Sequence, residues 1–158
     1  MLTVEGSQKA PGLKFAIIVS KFNDFVTDRL QTGALEGLKS AGILHDDICV
    51  IKVPGAFEIP FAAKEAATRG NVAAVICLGC LIRGATAHFE YIASACAHGI
   101  TEAAAETGVP MTFGVLTTNS VEEALERAGD GPRNKGWEAA VAAVEMATLR
   151  ARSVSRVP

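Results

Sequence analysis

Runs of apolar residues alternate along the chain with stretches in which apolar side chains recur at helical spacing. The apolar runs cover residues 14–20, 48–53, 72–82 and 109–116. The third run is apolar at almost every position, which is typical of a strand buried on both faces of a parallel sheet. Four strands that alternate with helices predict an α/β fold, a three-layer α/β/α sandwich around a four-stranded parallel sheet. The pattern leaves the order of the strands open.

The predicted helices carry recognisable signals at their ends. Apolar spacing predicts helices at 25–41, between 58 and 70, at 88–107, from 120 to about 127 and from 135 to about 150. Ser120 and Glu123 stand three residues apart, as in a capping box, which favours a helix start there. Asn134 and Thr86 are preferred N-cap residues, so we expect each to begin the helix that follows it.

Length and composition indicate one globular domain with no general affinity for polyanions. The chain has 158 residues, of which 49% are hydrophobic and 20% charged, enough to build a core. We expect one domain over 1–158, with tails at 1–12 and 151–158. The N-terminal tail should be loose unless another surface holds it down. A net charge of -2 disfavours nucleic acid as a partner. No signal segment and no membrane-length apolar run is present, so we expect a cytoplasmic protein without a membrane partner.

Two of the four cysteines, Cys77 and Cys80, form a Cys-x-x-Cys pattern. Such a pair can indicate redox chemistry or a zinc site. Here both residues lie inside an apolar strand, where odd spacing sends their side chains to opposite faces. The chain has no second pair to complete a zinc site, so we interpret both as small buried apolar residues and expect no metal.

Unusual residues follow the predicted strands at the points where the strands end. In parallel sheets, ligands bind beyond the carboxyl ends of the strands, which meet at one edge. The segments at those ends are 22–23, 55–58, 80–86 and 113–118. They contribute aromatic rings, a carboxylate, a glycine turn and a histidine, which predicts a pocket for a flat, hydroxylated and phosphorylated ligand or a pair of ligands.

The turn after the third strand has the features of an anion site beside a proton carrier. Gly84 supplies backbone freedom, and the predicted helix start behind it offers free N–H groups and the positive end of the helix dipole. His88 lies in the first turn of that helix, where the dipole favours a neutral ring that can give or take a proton. The local pattern leaves equal room for a plain tight connection with a surface histidine.

Other phosphate-binding folds fit the sequence poorly. Residues 79–86 match the spacing of a P-loop, but Ala85 stands where that loop needs lysine. A receiver domain needs clustered acids after the first strand, where only Asp24 is present. A dinucleotide fold needs a glycine-rich turn there, and Lys21 to Asn23 do not provide one.

Several candidate residues have a structural interpretation beside the functional one. Phe22 and Phe57 follow strands rather than lying within them, which favours stacking on a ligand over a place in the core. Glu58 and Arg127 can also complement helix dipoles. For the remaining histidines, at 45 and 98, we expect structural or solvated roles.

Five motifs in order resemble the 6,7-dimethyl-8-ribityllumazine synthase family from residue 15 to about 149. They are FN at 22–23, VPGAFEIP at 53–60, LIRGATAHFEYI at 81–92, FGVLTT at 113–118, and ERAG with NKG at 126–129 and 134–136. The resemblance implies a flavodoxin-like sheet and the penultimate step of riboflavin biosynthesis. That step joins 5-amino-6-(D-ribitylamino)uracil to 3,4-dihydroxy-2-butanone 4-phosphate, and releases phosphate and water without a metal or cofactor.

The resemblance also implies roles for individual residues. His88 would move protons as the catalytic residue, Phe22 would stack on the pyrimidine, and Arg127 would bind phosphate. The other substrate-binding positions that it implies are Asn23, Ala56, Phe57, Glu58, Cys80, Leu81, Ile82, Gly84, Ala85, Thr86, Phe113 and Lys135.

Assembly is a further implication of the resemblance. Family members form pentamers, and many build icosahedral shells, with Phe113 and Arg127 acting across a subunit boundary. The N-terminal tail can then add a strand to a neighbouring subunit, and riboflavin synthase is an implied partner. Pro132 and Arg133 depart from the Lys and Gly that many shell-forming members carry, which leaves pentamer or shell open. A non-catalytic flavin binder and a purely structural shell protein are the competing functions.

Overall fold

The computed structural model describes residues 1–153 and has the predicted alternation of strands and helices. The strands are β1 (Phe15–Ser20), β2 (Ile48–Val53), β3 (Ala74–Ile82) and β4 (Met111–Thr118). The helices are α1 (Asp24–Ser40), α2 (Ile59–Arg69), α3 (His88–Thr107), α4 (Val121–Arg127) and α5 (Lys135–Ser153). The last helix continues past residue 150, so the predicted C-terminal tail is helical at its start, and residues 154–158 lie outside the described residues.

The four strands form one parallel sheet in the order β2-β1-β3-β4. Phe15 of β1 pairs with Ile48 on one side and Ala74 on the other. The chain therefore leaves β1 to one side to form β2 and returns to the other side to form β3. A crevice opens at the carboxyl ends of β1 and β3, where these two directions part.

Helices cover both faces of the sheet and create two separate cores. One core joins the sheet to α1, α4 and α5, and the other joins it to α2 and α3. Cys80 belongs to the first core and Cys77 to the second, so the predicted opposite orientation is confirmed. Burial raises the pKa of the Cys80 thiol to about 11 and also raises the pKa of Cys77. Both behave as apolar core residues.

Two of the three predicted helix caps are confirmed, and one is wrong. The Asn134 side chain accepts hydrogen bonds from the first N–H groups of α5, and Ser120 Oγ accepts from Glu123 N at 3.1 Å. Thr86 is not the N-cap of α3, because Ala87 takes that position with helical backbone angles. The Thr86 hydroxyl instead lies 3.4 Å from the amide of His88, a long contact of the kind hydroxyls make two residues ahead.

The N-terminal segment is held against the body of the same chain. Ser7 N donates to Thr148 Oγ1 at 2.7 Å, and Ala10 N donates to Ala41 O at 3.1 Å. Ala10 is buried in the core. A surface formed by α5 and the end of α1 therefore anchors residues 7 to 10. Within residues 1–153, no helix combines the length and apolar character that a membrane crossing requires.

Candidate active site

A pocket of about 550 Å³ opens at the crevice between β1 and β3. We call it the switch-point pocket. Three strand ends build it, since its walls come from the residues that follow β1, β2 and β3. Its lining includes Phe22, Asn23, Ala56, Phe57, Glu58, Leu81, Ile82, Gly84, Thr86 and His88, all of which the sequence pointed to.

Asn23 fixes the floor of the switch-point pocket. Its backbone has a φ of 62°, in the left-handed region, which asparagine tolerates better than most residues. In this conformation its carbonyl accepts from the amides of Val26 and Thr27 and so begins α1. Its Nδ2 donates to the carbonyl of Cys80 at 2.9 Å. One side chain thus ties the end of β1 to the end of β3.

Two aromatic rings stand at the mouth of the pocket. The side chains of Phe22 and Phe57 are 69% and 61% exposed, although both are large and apolar. Burying such rings gains about 1.5–3 kcal/mol each, so their exposure at a concave site favours a ligand that covers them. Ala56, Phe57 and Glu58 form a short 3₁₀ turn before α2, which brings the Glu58 carboxylate to the same rim.

The far end of the pocket is the loop that precedes α3. Residues 83–88 are all exposed, and a side chain added at Gly84 would meet no protein atom within 4 Å. Ala87, the N-cap of α3, provides no side-chain hydrogen bond to the first turn. The positive end of the dipole of a 20-residue helix therefore lies at this loop, where it favours an anion, with His88 as the first residue of the helix.

Cys80 and Ala85 stand apart from the lining of the pocket. Cys80 is 1% exposed, and its carbonyl already accepts from Asn23, so it contributes through the backbone beneath the pocket. Ala85 is exposed in the loop between Gly84 and Thr86. Its side chain is a methyl group, which leaves the amide as its polar contribution.

A second pocket, of about 440 Å³, lies along β4 and α5. We call it the β4-edge pocket. It contains Phe113, Arg127 and Lys135, and shares no lining residue with the switch-point pocket. Lys135 Nζ pairs with the Glu138 carboxylate at 2.8 Å, and Arg127 Nη1 donates to the carbonyl of Glu123 at 3.1 Å. Arg127 is exposed, and its guanidinium carries further donors besides the one bonded to Glu123.

The separation of the two pockets corrects one expectation. The sequence pattern grouped 113–118, at the end of the strand predicted over 109–116, with the other strand-end segments at one edge of the sheet. In the structure β4 continues to Thr118, and Phe113 pairs in mid-strand with Cys77. Phe113 therefore emerges from the edge strand, 47% exposed, rather than from the strand-end crevice.

Several lining residues were not among those predicted from the sequence. Phe89 and Ile92 line the switch-point pocket, and Glu138 lines the β4-edge pocket. A helical-spacing signal was available for Ile92, which stands four residues after His88 and so shares its face of α3. Glu138 likewise stands three residues after Lys135 and shares its face of α5.

Comparison with known proteins decides the family. The family model for 6,7-dimethyl-8-ribityllumazine synthase matches residues 12–151. The chain belongs to the 6,7-dimethyl-8-ribityllumazine synthase family. It is similar to the protein of that name from Syntrophus aciditrophicus, with 53% identity over 145 residues that cover 92% of this chain and 94% of the relative. The corresponding protein from Chloroherpeton thalassium is 52% identical over 147 residues, 93% of this chain and 95% of the relative.

Family membership confirms the resemblance and the expected enzyme class. A lumazine synthase is a transferase of riboflavin biosynthesis that forms 6,7-dimethyl-8-ribityllumazine. The parallel sheet with helices on both faces is the flavodoxin-like fold expected for the family.

Proposed function

We propose that each active site joins the switch-point pocket of one protomer to the β4-edge pocket of a neighbour. There 5-amino-6-(D-ribitylamino)uracil would condense with 3,4-dihydroxy-2-butanone 4-phosphate, releasing phosphate and water. The observation that carries this proposal is the division of the candidate residues. Phe113, Arg127 and Lys135 line a pocket that shares nothing with the one around His88.

The pyrimidine binds against the aromatic rim of the switch-point pocket. Phe22 stacks on the ring, and the turn at 56–58 holds it together with the ribityl hydroxyls. Glu58 is exposed at that rim, which suits a carboxylate that accepts hydrogen bonds from hydroxyl groups. The backbone of residues 80–82 pairs with the polar edge of the ring, and Asn23 holds these residues in place.

The phosphorylated substrate binds at the loop before α3. Backbone amides at Gly84, Ala85 and Thr86 and the helix dipole receive the phosphate, a geometry that needs no cationic side chain from the same chain. Arg127 of the neighbouring protomer completes the cradle with its planar guanidinium. Phe113 and Lys135 line the same neighbouring surface.

His88 moves protons between the two substrates. The amine of the uracil attacks the ketone carbon, and a proton must leave nitrogen and reach oxygen before water departs to give the imine. Loss of the C3 proton and of phosphate then leaves an enol, which tautomerises to a second carbonyl. The ribitylamino nitrogen attacks this carbonyl, and a second water departs as the ring closes. An exposed imidazole at the start of α3 lines the same pocket as the aromatic rim and directly follows the phosphate loop, so it can serve these transfers. Much of the acceleration comes from holding both substrates together.

A site shared between neighbours fits a head-to-tail contact, and such a contact generates a ring when its rotation closes. We propose a pentamer as the ring, an icosahedral shell as its further assembly, a location in the cytoplasm and association with riboflavin synthase. Exposed apolar side chains on α2 and α3, among them Phe61 and Tyr91 at 75% each, support a partner surface there. Sedimentation decides between pentamer and shell, and a monomer at working concentration would contradict the shared site.

The experiment that tests the proposed function mixes the purified chain with both substrates. We expect lumazine absorbance and fluorescence to rise together with released phosphate. Arg127→Ala should raise the KM for the butanone phosphate far more than the KM for the pyrimidine, because only the first carries phosphate. Equal changes in both KM values would remove Arg127 from the phosphate site. Tight product binding without turnover would instead indicate a carrier.

A further inference from the structure

We propose that Arg83 is a positioning residue that fixes the phosphate loop and thereby sets the affinity for the butanone phosphate. This inference rests on the proposed function, which assigns the phosphate to the amides of Gly84 to Thr86. Arg83 does not line the switch-point pocket. It immediately precedes the loop and holds it from outside.

The Arg83 guanidinium contacts three different groups. It forms an ion pair with the carboxylate of Glu90 on α3. Its Nε donates to Asn119 Oδ1, beyond the end of β4, at 3.0 Å. Its Cζ lies 4.6 Å from the centroid of the Phe89 ring, within the range of a cation–π contact. A planar fork with five donors can satisfy such a set, which the point charge of lysine cannot.

These contacts matter because the loop has little else to hold it. Residues 83–88 are exposed, and Gly84 has no neighbouring atom within 4 Å of an added Cβ. The long contact from Thr86 Oγ1 to His88 N, at 3.4 Å, contributes little. A loop whose amides must converge on one phosphate therefore depends on its first residue for orientation.

Arg83 fixes both ends of the loop. Its own amide donates to Thr118 O at 2.8 Å, which extends the pairing of β3 with β4 by one residue. Its side chain reaches forward to Glu90 in the first turn of α3. A backbone hydrogen bond at Glu90, and then the Arg83 guanidinium, hold the pKa of that carboxyl below its usual value, so the ion pair persists at neutral pH.

The same side chain connects the phosphate loop to the turn that begins α4. Asn119 accepts from Arg83 and donates its amide to the Glu123 carboxylate at 2.9 Å. The carbonyl of Glu123 in turn accepts from Arg127. A continuous chain of hydrogen bonds therefore joins the two phosphate-binding elements of one protomer, although the proposed function assigns them to different active sites.

The test is steady-state kinetics of the full-length assembly with both substrates varied. For Arg83→Ala we expect the KM for the butanone phosphate to rise about fivefold, since exposed pairs and hydrogen bonds have effects of this order. The KM for the pyrimidine and kcat should stay within about twofold of wild type, because the aromatic rim is untouched. Arg83→Lys retains the ion pair alone, so its KM for the butanone phosphate should lie between those of wild type and Arg83→Ala.

Arg69→Ala is the matched control, because Arg69 also forms an exposed ion pair, with Glu65, but on a helix outside both pockets. It should leave all constants unchanged. Should Arg83→Ala fail to assemble, Asn119→Ala removes one of the three contacts and should shift the same KM in the same direction.

Two results would overturn the inference. One is an Arg83→Ala enzyme that loses thermal stability but keeps the wild-type KM for the butanone phosphate. The other is an equal rise in both KM values, which would indicate general loosening of the site. Both are distinct from failure of the proposed function, in which the wild-type chain itself would form no lumazine.

Discussion

Asn134 offers a sharp test of how the β4-edge pocket is supported. It is 3% exposed, and its side chain makes four hydrogen bonds. Nδ2 donates to the carbonyls of Arg29 and Gly129 at 3.1 and 2.9 Å, while Oδ1 accepts from the amides of Gly136 and Trp137 at 2.8 and 3.2 Å. The side chain thus joins α1, the loop before α5 and the start of α5.

The cost of Asn134→Ala follows from these four bonds. Loss of an N-cap costs about 1 kcal/mol, and loss of each of the two part-buried hydrogen bonds from Nδ2 adds about 0.5–1.5 kcal/mol. We therefore expect a loss of about 2–4 kcal/mol, which for a chain of this size lowers Tm by about 5–15 °C. Calorimetry at one fixed protein concentration measures the change, because assembly makes Tm depend on concentration.

Asn134→Asp separates the two halves of the network. Aspartate caps helices as well as asparagine does, so it preserves the acceptor half. It also turns a carboxylate oxygen toward the carbonyls of Arg29 and Gly129, and we expect it to be at least as destabilising as alanine at neutral pH. Asn71→Ala, at an exposed position, is the control. Wild-type Tm in the aspartate variant, or a shift below about 2 °C in the alanine variant, would refute the reasoning.

Three further predictions concern chemistry elsewhere in the chain. Cys49 is exposed and the other three cysteines are buried, so a thiol reagent should label one site per native chain quickly, and Cys49→Ser should abolish that phase. A hydrogen bond to Glu106, and then its charge, raise the pKa of Lys64. The free energy of unfolding of Lys64→Met should therefore be lower than that of wild type at neutral pH. This difference should vanish as the pH rises through the folded pKa of Lys64, above about 10.4. A difference that stays constant across that range would refute the prediction. His88→Ala should lower kcat about tenfold with little change in either KM, and wild-type kcat would remove the histidine from the mechanism.

The sequence predicted the sheet well where burial imposes a simple pattern. The strand β3 is covered on both faces, so its apolar run is nearly unbroken and its end at Ile82 was correctly placed. The strand β2 lies at an edge, where Val50 and Lys52 are exposed, and its signal is weaker. The strand order could not be predicted, because crossover helices leave no local trace of the side to which they return.

The candidate site was predicted in parts but not in its arrangement. Residues after β1, β2 and β3 could be assigned to one edge because parallel strands place their carboxyl ends together. The conformation of Asn23 and its bond to Cys80 depend on two segments 57 residues apart, which no local pattern reveals. Phe113 was grouped with the strand-end segments although it lies within β4, because an apolar run does not reveal that its strand is at the edge of the sheet and opens onto a different pocket.

The central claim, that one active site is built from two protomers, is tested most directly by complementation. Gly84→Leu should inactivate the switch-point pocket by placing a bulky side chain in the phosphate loop, where an added Cβ meets no atom within 4 Å. Arg127→Glu should inactivate the β4-edge pocket by reversing its charge. Each variant alone should form little lumazine. Gly84→Leu keeps an intact β4-edge pocket, and Arg127→Glu keeps an intact switch-point pocket. When the two variants are co-expressed in equal amounts, about one interface in four joins these two intact pockets, so about a quarter of wild-type activity should return. Mixed rings that remain as inactive as their parents would contradict the shared site.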